Sequence, residues 1–141
     1  MAGKPSNAEI SQQYADSYNG ETFTCILVQN GSELATDVAI ATVAGIELSE
    51  TSYVRVQETL GAGTLDTGNP VKHTASFTAS WSVAAGETWN FDHIIVLRNA
   101  LTTPGDTTGA IAHIIYLTSQ TKEGGANGEM AAVLVELGVT A

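Results

Sequence analysis

The sequence predicts an all-β chain, a sandwich or a barrel of antiparallel strands with a short helix in front of it. Three observations predict this. Threonine occurs 18 times and glycine 14 times in 141 residues, while lysine and arginine together number 5, a composition that suits strands and turns better than helices. Thr74, Ser76, Thr78, Ser80 and Ser82 alternate without a break against Ala75, Phe77, Ala79, Trp81 and Val83, the period-two pattern of a half-buried strand. The second half of the chain divides into four strand-like stretches separated by turn signals at short intervals, as sandwiches and barrels do and parallel sheets do not.

Taken in order, the first element is a helix from Ser6 to about Tyr18. Ser6 is a capping residue, Glu9 completes a capping box, and Ile10, Tyr14 and Ser17 or Tyr18 share one stripe before Asn19-Gly20 ends the helix. Thr22–Gln29 reads as a strand running into a Gln29-Asn30-Gly31 turn. Asp37–Ala44 fits a short helix or a strand equally. Ser52–Thr59 reads as a strand with Tyr53 and Arg55 on one face and Val54 and Val56 on the other. Gly61–Pro70, with three glycines, reads as a long loop.

The alternating strand Thr74–Val83 is followed by a turn at Ala85-Gly86-Glu87 and a strand over Thr88–Arg98, whose Ile94–Leu97 run suggests burial on both faces. Leu101–Gly109 holds four threonines, two glycines and a proline and reads as a loop. Ala110–Gln120 is the next strand, and its His113-Ile114-Ile115 repeats the local pattern of His93-Ile94-Ile95. Glu123–Gly128 is a turn, and a last strand covers about Glu129 to Thr140. No repeat divides the chain, so the expectation is an N-terminal arm or helix over residues 1–20 and one β domain over residues 21–141.

Charge narrows the classes of partner. Fifteen acidic against five basic side chains give a formal charge of −10, which argues against nucleic acid, whose phosphates need a lysine and arginine footprint. It argues equally against an anionic membrane surface. Met1–Gln13 is polar and lacks the apolar core of a secretory signal, and the longest apolar runs are too short to span a bilayer. Synthesis in a cytoplasm is the expectation. The single cysteine, Cys25, stands among Phe23, Ile26, Leu27 and Val28, as a small buried hydrophobe would.

No set of residues declares a reaction. His73, His93 and His113 lie twenty residues apart on strands, without the close spacing of a zinc site. Asp92-His93 is read as no pair, because neighbouring strand residues point to opposite faces. Nucleophile-elbow, phosphate-loop and metalloprotease patterns are absent. Glu47 and Glu50 read as a solvated face. Asp66 and Asp106 sit in glycine-rich loops where calcium is conceivable, but without the acidic spacing of an EF-hand. Trp81, Trp89 and Phe91 read as core aromatics rather than an exposed sugar platform. The expectation is therefore a protein that is not an enzyme, with no catalytic, cofactor-binding or metal-binding residues and no cofactor.

The segment Asp37–Gln57, with Thr42-Val43-Ala44, Glu47-Leu48-Ser49 and Ser52-Tyr53-Val54-Arg55-Val56, resembles a segment of virion structural proteins of tailed bacteriophages. In order after it come Trp81-Ser82-Val83, the strand Trp89–Leu97, the loop Leu101–Gly109 and the strands Ile111–Thr118 and Met130–Val139. The resemblance covers roughly residues 20–141. It implies a jelly-roll-like antiparallel β-sandwich of the capsid cement or decoration type, working as a homodimer or homotrimer on the major capsid protein at the capsid exterior. A tail or baseplate module, including a host-receptor binder, is the alternative. The Ser6–Tyr18 stretch has no counterpart in the resemblance.

Overall fold

In the computed structural model, which describes residues 3–125 and 129–141 (the side chains of 129–134 excepted), strands dominate and form two antiparallel sheets. The elements are α1 (Asn7–Ser17), β1 (Thr22–Val28), α2 (Ile40–Gly45), β2 (Val56–Thr59), β3 (Thr64–Asp66), β4 (Lys72–Val83), β5 (Thr88–Arg98), β6 (Ala110–Glu123) and β7 (Glu129–Thr140). One sheet has the order β2-β1-β5-β6 and the other β3-β4-β7.

The chain divides into two compact units, one comprising the N-terminal segment to Thr22 with Thr59–Thr78 and Leu134–Ala141, the other Phe23–Glu58 with Ala79–Val133. In the first, Ser6 caps α1 by accepting the Glu9 N–H at 3.1 Å, as the sequence predicts. The Glu9 carboxylate itself accepts from Gln13 one turn on, at 3.2 Å. Ile10 and Tyr14 form the buried stripe. Tyr14 donates to the Gly61 carbonyl at 2.7 Å and stacks on His73 with ring centroids 4.3 Å apart. The loop read over Gly61–Pro70 contains β3, which pairs with β4 in the register Thr64↔Thr74. Three residues between two turns give too little pattern for a sequence reading to find.

The second unit holds most of the core. Phe23–Val28 of β1 are all buried, and so is every residue of β5 from Phe91 to Leu97. A strand flanked on both sides in the sheet and covered on both faces is mostly apolar, which explains the weak alternation of Thr22–Val28. Ile26, Val28, Val43, Ile95 and Leu97 form one cluster, with Leu34, Val38 and Ile40 packed against it. The ambiguous Asp37–Ala44 segment resolves into α2, a six-residue helix that anchors itself through Val43.

One further expectation about local structure needs correction. Residues 52–55 are not strand, and β2 begins only at Val56. The alternation there is nevertheless real, with Tyr53 and Arg55 4% and 5% exposed and Val54 57% exposed. Their side chains are held by a buried polar cluster instead of a ladder. The expected turn at Glu123–Gly128 lies partly outside the described residues, since 126–128 fall there.

Candidate functional site

The second unit carries two buried polar clusters and one long sheet edge. The first cluster centres on Glu47. Its Oε1 accepts Arg55 Nη2 at 2.8 Å and the Gly105 N–H at 2.7 Å; its Oε2 accepts Arg55 Nε at 3.0 Å and the Tyr53 hydroxyl at 2.6 Å. The guanidinium also donates to the carbonyls of Leu101 and Asp106, both at 2.9 Å. Tyr53 also accepts the Leu27 N–H at 3.1 Å. Burial, and then the adjacent Glu47 carboxylate, push the Tyr53 phenol far above its ordinary value. All three nitrogens of the guanidinium and both carboxylate oxygens of this two-pronged ion pair are hydrogen-bonded, as a desolvated pair requires. The cluster binds the loop Leu101–Gly109 to the Glu47–Arg55 segment and fixes the surface on either side of it. Val54 turns outward because its neighbours turn inward, and its carbonyl accepts Trp81 Nε1 at 2.8 Å. Leu101, pinned through its carbonyl, is 54% exposed.

The second cluster corrects the reading of Asp92-His93. The two side chains do meet, Nδ1 of His93 lying 2.5 Å from Oδ1 of Asp92, and both residues are buried. The contact lies opposite an irregularity in β6. Phe91 stands opposite Gln120 and His93 opposite Tyr116, so Leu117–Ser119 bulge out against Asp92 alone, with Thr118 at φ 62°. The carboxylate also accepts the Asn30 N–H (3.0 Å) and the Gly31 N–H (2.7 Å), and His93 Nε2 accepts the Leu34 N–H (3.0 Å). Burial alone would raise the Asp92 pKa, but the hydrogen bonds from His93, Asn30 and Gly31 outweigh it and hold it below the ordinary value. Gly31 has φ +88°, a conformation that lets two successive amides aim at one carboxylate.

The third feature is β6 itself, at the edge of its sheet. It is 14 residues long and carries no Asp, Glu, Lys or Arg from Ala110 to Thr121. A second bulge, at Ala112 between the pairs Val96↔His113 and Leu97↔Ile111, leaves a regular stretch of His113–Tyr116 between the two irregularities. Beside its first half lies a cleft of ≈ 500 Å³, with Thr36–Ile40 as the opposite wall. Tyr116, with Val54 and Leu101, makes up the exposed large hydrophobics among the described residues.

The remaining candidates fall in separate places. His73 belongs to the first unit, between Ser11 Oγ at 3.0 Å and the Ala62 carbonyl at 2.8 Å. His113 lines the cleft, where burial and then the charge of Arg98 lower its pKa. Asp66 and Asp106 close tight turns on the Gly68 and Thr108 amides, at 2.9 and 2.7 Å. The Thr108 backbone hydrogen bond, with the Thr108 hydroxyl, lowers the Asp106 pKa. Among the described residues no group of three or more His, Cys, Asp and Glu is placed to hold a metal ion. Trp81, Trp89 and Phe91 are core residues, and Trp89 meets Tyr53 edge-on with centroids 5.6 Å apart. Cys25 is buried, and burial, with Glu58 nearby, pushes its thiol up to about 12.

The Glu47–Arg55 cluster escapes sequence reasoning because the pairing runs over eight residues of irregular chain. One signal was available: Arg55 is a lone cation between Val54 and Val56 in a strongly acidic chain. Compared with known proteins, the chain matches no protein-family model, no curated protein and no solved structure.

Proposed function

We propose that the chain is a structural virion protein, a capsid cement (decoration) protein that binds the outside of a tailed-phage head and stabilises joints between major capsid subunits. The observation that carries the reading is β6, an edge strand with no Asp, Glu, Lys or Arg from Ala110 to Thr121 in a chain of charge −10. Unpaired backbone groups on such an edge accept another strand, and an uncharged stretch is where an acidic module approaches a partner, or a second copy, with least repulsion. The two bulges restrict pairing to a few registers, which favours a defined contact over open-ended stacking. The outward Val54 and Leu101, held in place from beneath by Arg55, add rigid apolar contact without ordering cost at the moment of binding.

The resemblance over roughly residues 20–141 directs this docking surface toward a phage shell. A jelly-roll-like sandwich is part of the same proposal, and the chain's passage between the sheets at β2–β3, β4–β5 and β6–β7 supports it. An acidic module belongs on the solvent side of a shell, away from packaged DNA. Homodimers or homotrimers across symmetric joints would multiply weak contacts. The test compares survival of purified heads on heating with and without the protein. Raised survival with the protein on the shell is expected; unchanged survival with no protein bound defeats the proposal, and binding to tails alone would transfer it to a tail or baseplate module.

A further inference from the structure

We propose that Asp92 and His93 form an acid-released latch for the strap that leads from Asn30 into α2. Each polar atom of the pair has one role. His93 Nε2 accepts the Leu34 N–H and so carries no proton, which places the proton on Nδ1, donated to Asp92 Oδ1. The carboxylate accepts the Asn30 and Gly31 amides. The strap thus hangs at two points, Asn30–Gly31 on the carboxylate and Leu34 on the imidazole.

A proton added to the ring can go only to Nε2. Its N–H would then face the Leu34 N–H, two donors without an acceptor, at a ring that is fully buried. The Leu34 end has to leave. The Asn30–Gly31 end does not, because the imidazolium keeps its Nδ1–H on Asp92 and the carboxylate keeps both amides. Other ionisable groups near the ring do not replace the lost acceptor. β6 presents the Tyr116 ring at 4.9 Å, and its His113 stands opposite Val96 in the ladder. β1 places Val28 opposite His93. The strap's own charges, Glu33 and Asp37, are exposed.

Release at Leu34 acts on the β6 edge. Leu34, Val38 and Ile40 pack on the core cluster, and Thr36–Ile40 form the wall of the cleft facing Gly109–Ile114. Freeing the strap at Leu34 loosens that wall and widens access to β6 on acidification.

Amide hydrogen exchange of the full chain, followed residue by residue by NMR and corrected for intrinsic rates, tests this between about pH 7.5 and about pH 5. The Leu34 amide is expected to lose about tenfold in protection, the weight of one buried hydrogen bond, while Asn30 and Gly31 keep theirs. Nitrogen-15 shifts show which ring nitrogen of His93 carries the proton, and a proton on Nε2 with Leu34 protection kept would overturn the latch. His93→Gln should abolish the pH response at Leu34. Equal Leu34 protection at both pH values, a parallel loss at Asn30 and Gly31, or the same response in His93→Gln would overturn the latch.

Discussion

Replacing Arg55 by alanine should be among the most damaging single changes outside the apolar core. The guanidinium makes four hydrogen bonds, two to Glu47 and one each to the carbonyls of Leu101 and Asp106. Its removal leaves a carboxylate 1% exposed with only Tyr53 and Gly105 as donors. Stranding one partner of a buried pair costs about 3–5 kcal/mol. With a urea slope of about 1–3 kcal/mol per molar for a domain of this size, the midpoint should fall by about 2 M. Replacing both partners, Arg55→Met with Glu47→Leu, removes the stranded charge and should cost less than Arg55→Ala alone. Equilibrium urea unfolding of wild type, single and double variants gives the comparison. A loss below about 1 kcal/mol for Arg55→Ala, the range of an exposed pair, would refute the reading of this cluster as a desolvated anchor.

Four further outcomes are expected. Val54→Glu and Leu101→Glu should change stability by no more than about 0.5 kcal/mol, since both side chains already face water, yet weaken binding to heads in a cosedimentation assay. Cys25 should resist iodoacetamide in the native state, because burial holds the thiol up at about 12, and react once urea unfolds the chain; fast native labelling would contradict its placement. Gly124→Ala would set a Cβ 1.8 Å from the Ala84 carbonyl oxygen, and the backbone shift this forces should cost about 1–3 kcal/mol in thermal or urea unfolding. The folded Asp92 pKa is lowered, so its contribution to stability is fully present above the unfolded value of about 3.9 and is lost as pH falls through the lower folded value. Asp92→Asn should flatten the acid limb of the stability curve in that window, and an unchanged limb would contradict the assignment.

Where one face of the chain meets water and the other meets core, the residues themselves announce the structure. The Ser6 cap, the Ile10–Tyr14 stripe, the alternation along β4 and the limits of β5 at Thr88 and Arg98 could all be read from sequence. Legibility failed where polar side chains, not ladder bonds, set the backbone. Residues 52–55 have a strand's alternation, but Tyr53 and Arg55 satisfy themselves on Glu47, and no local pattern encodes that. The Asp92–His93 contact lies opposite a bulge in β6, whose position is fixed by pairing across the sheet. The candidate docking edge lay half in view: the lack of charge over Ala110–Thr121 is plain in the sequence, whereas its place at the sheet edge is a property of strand order.

Decoration of a phage head through the β6 edge and the surface around Arg55 is what we propose for this chain. The most direct measurement is an electron-microscopic reconstruction of tailed-phage particles from cells that express the chain, with its copy number counted from the density. On the order of hundreds of copies are expected on the outer shell, at symmetric joints, with β6 against a capsid subunit or a second copy. Absence from the shell, or a few copies confined to the tail, would contradict it.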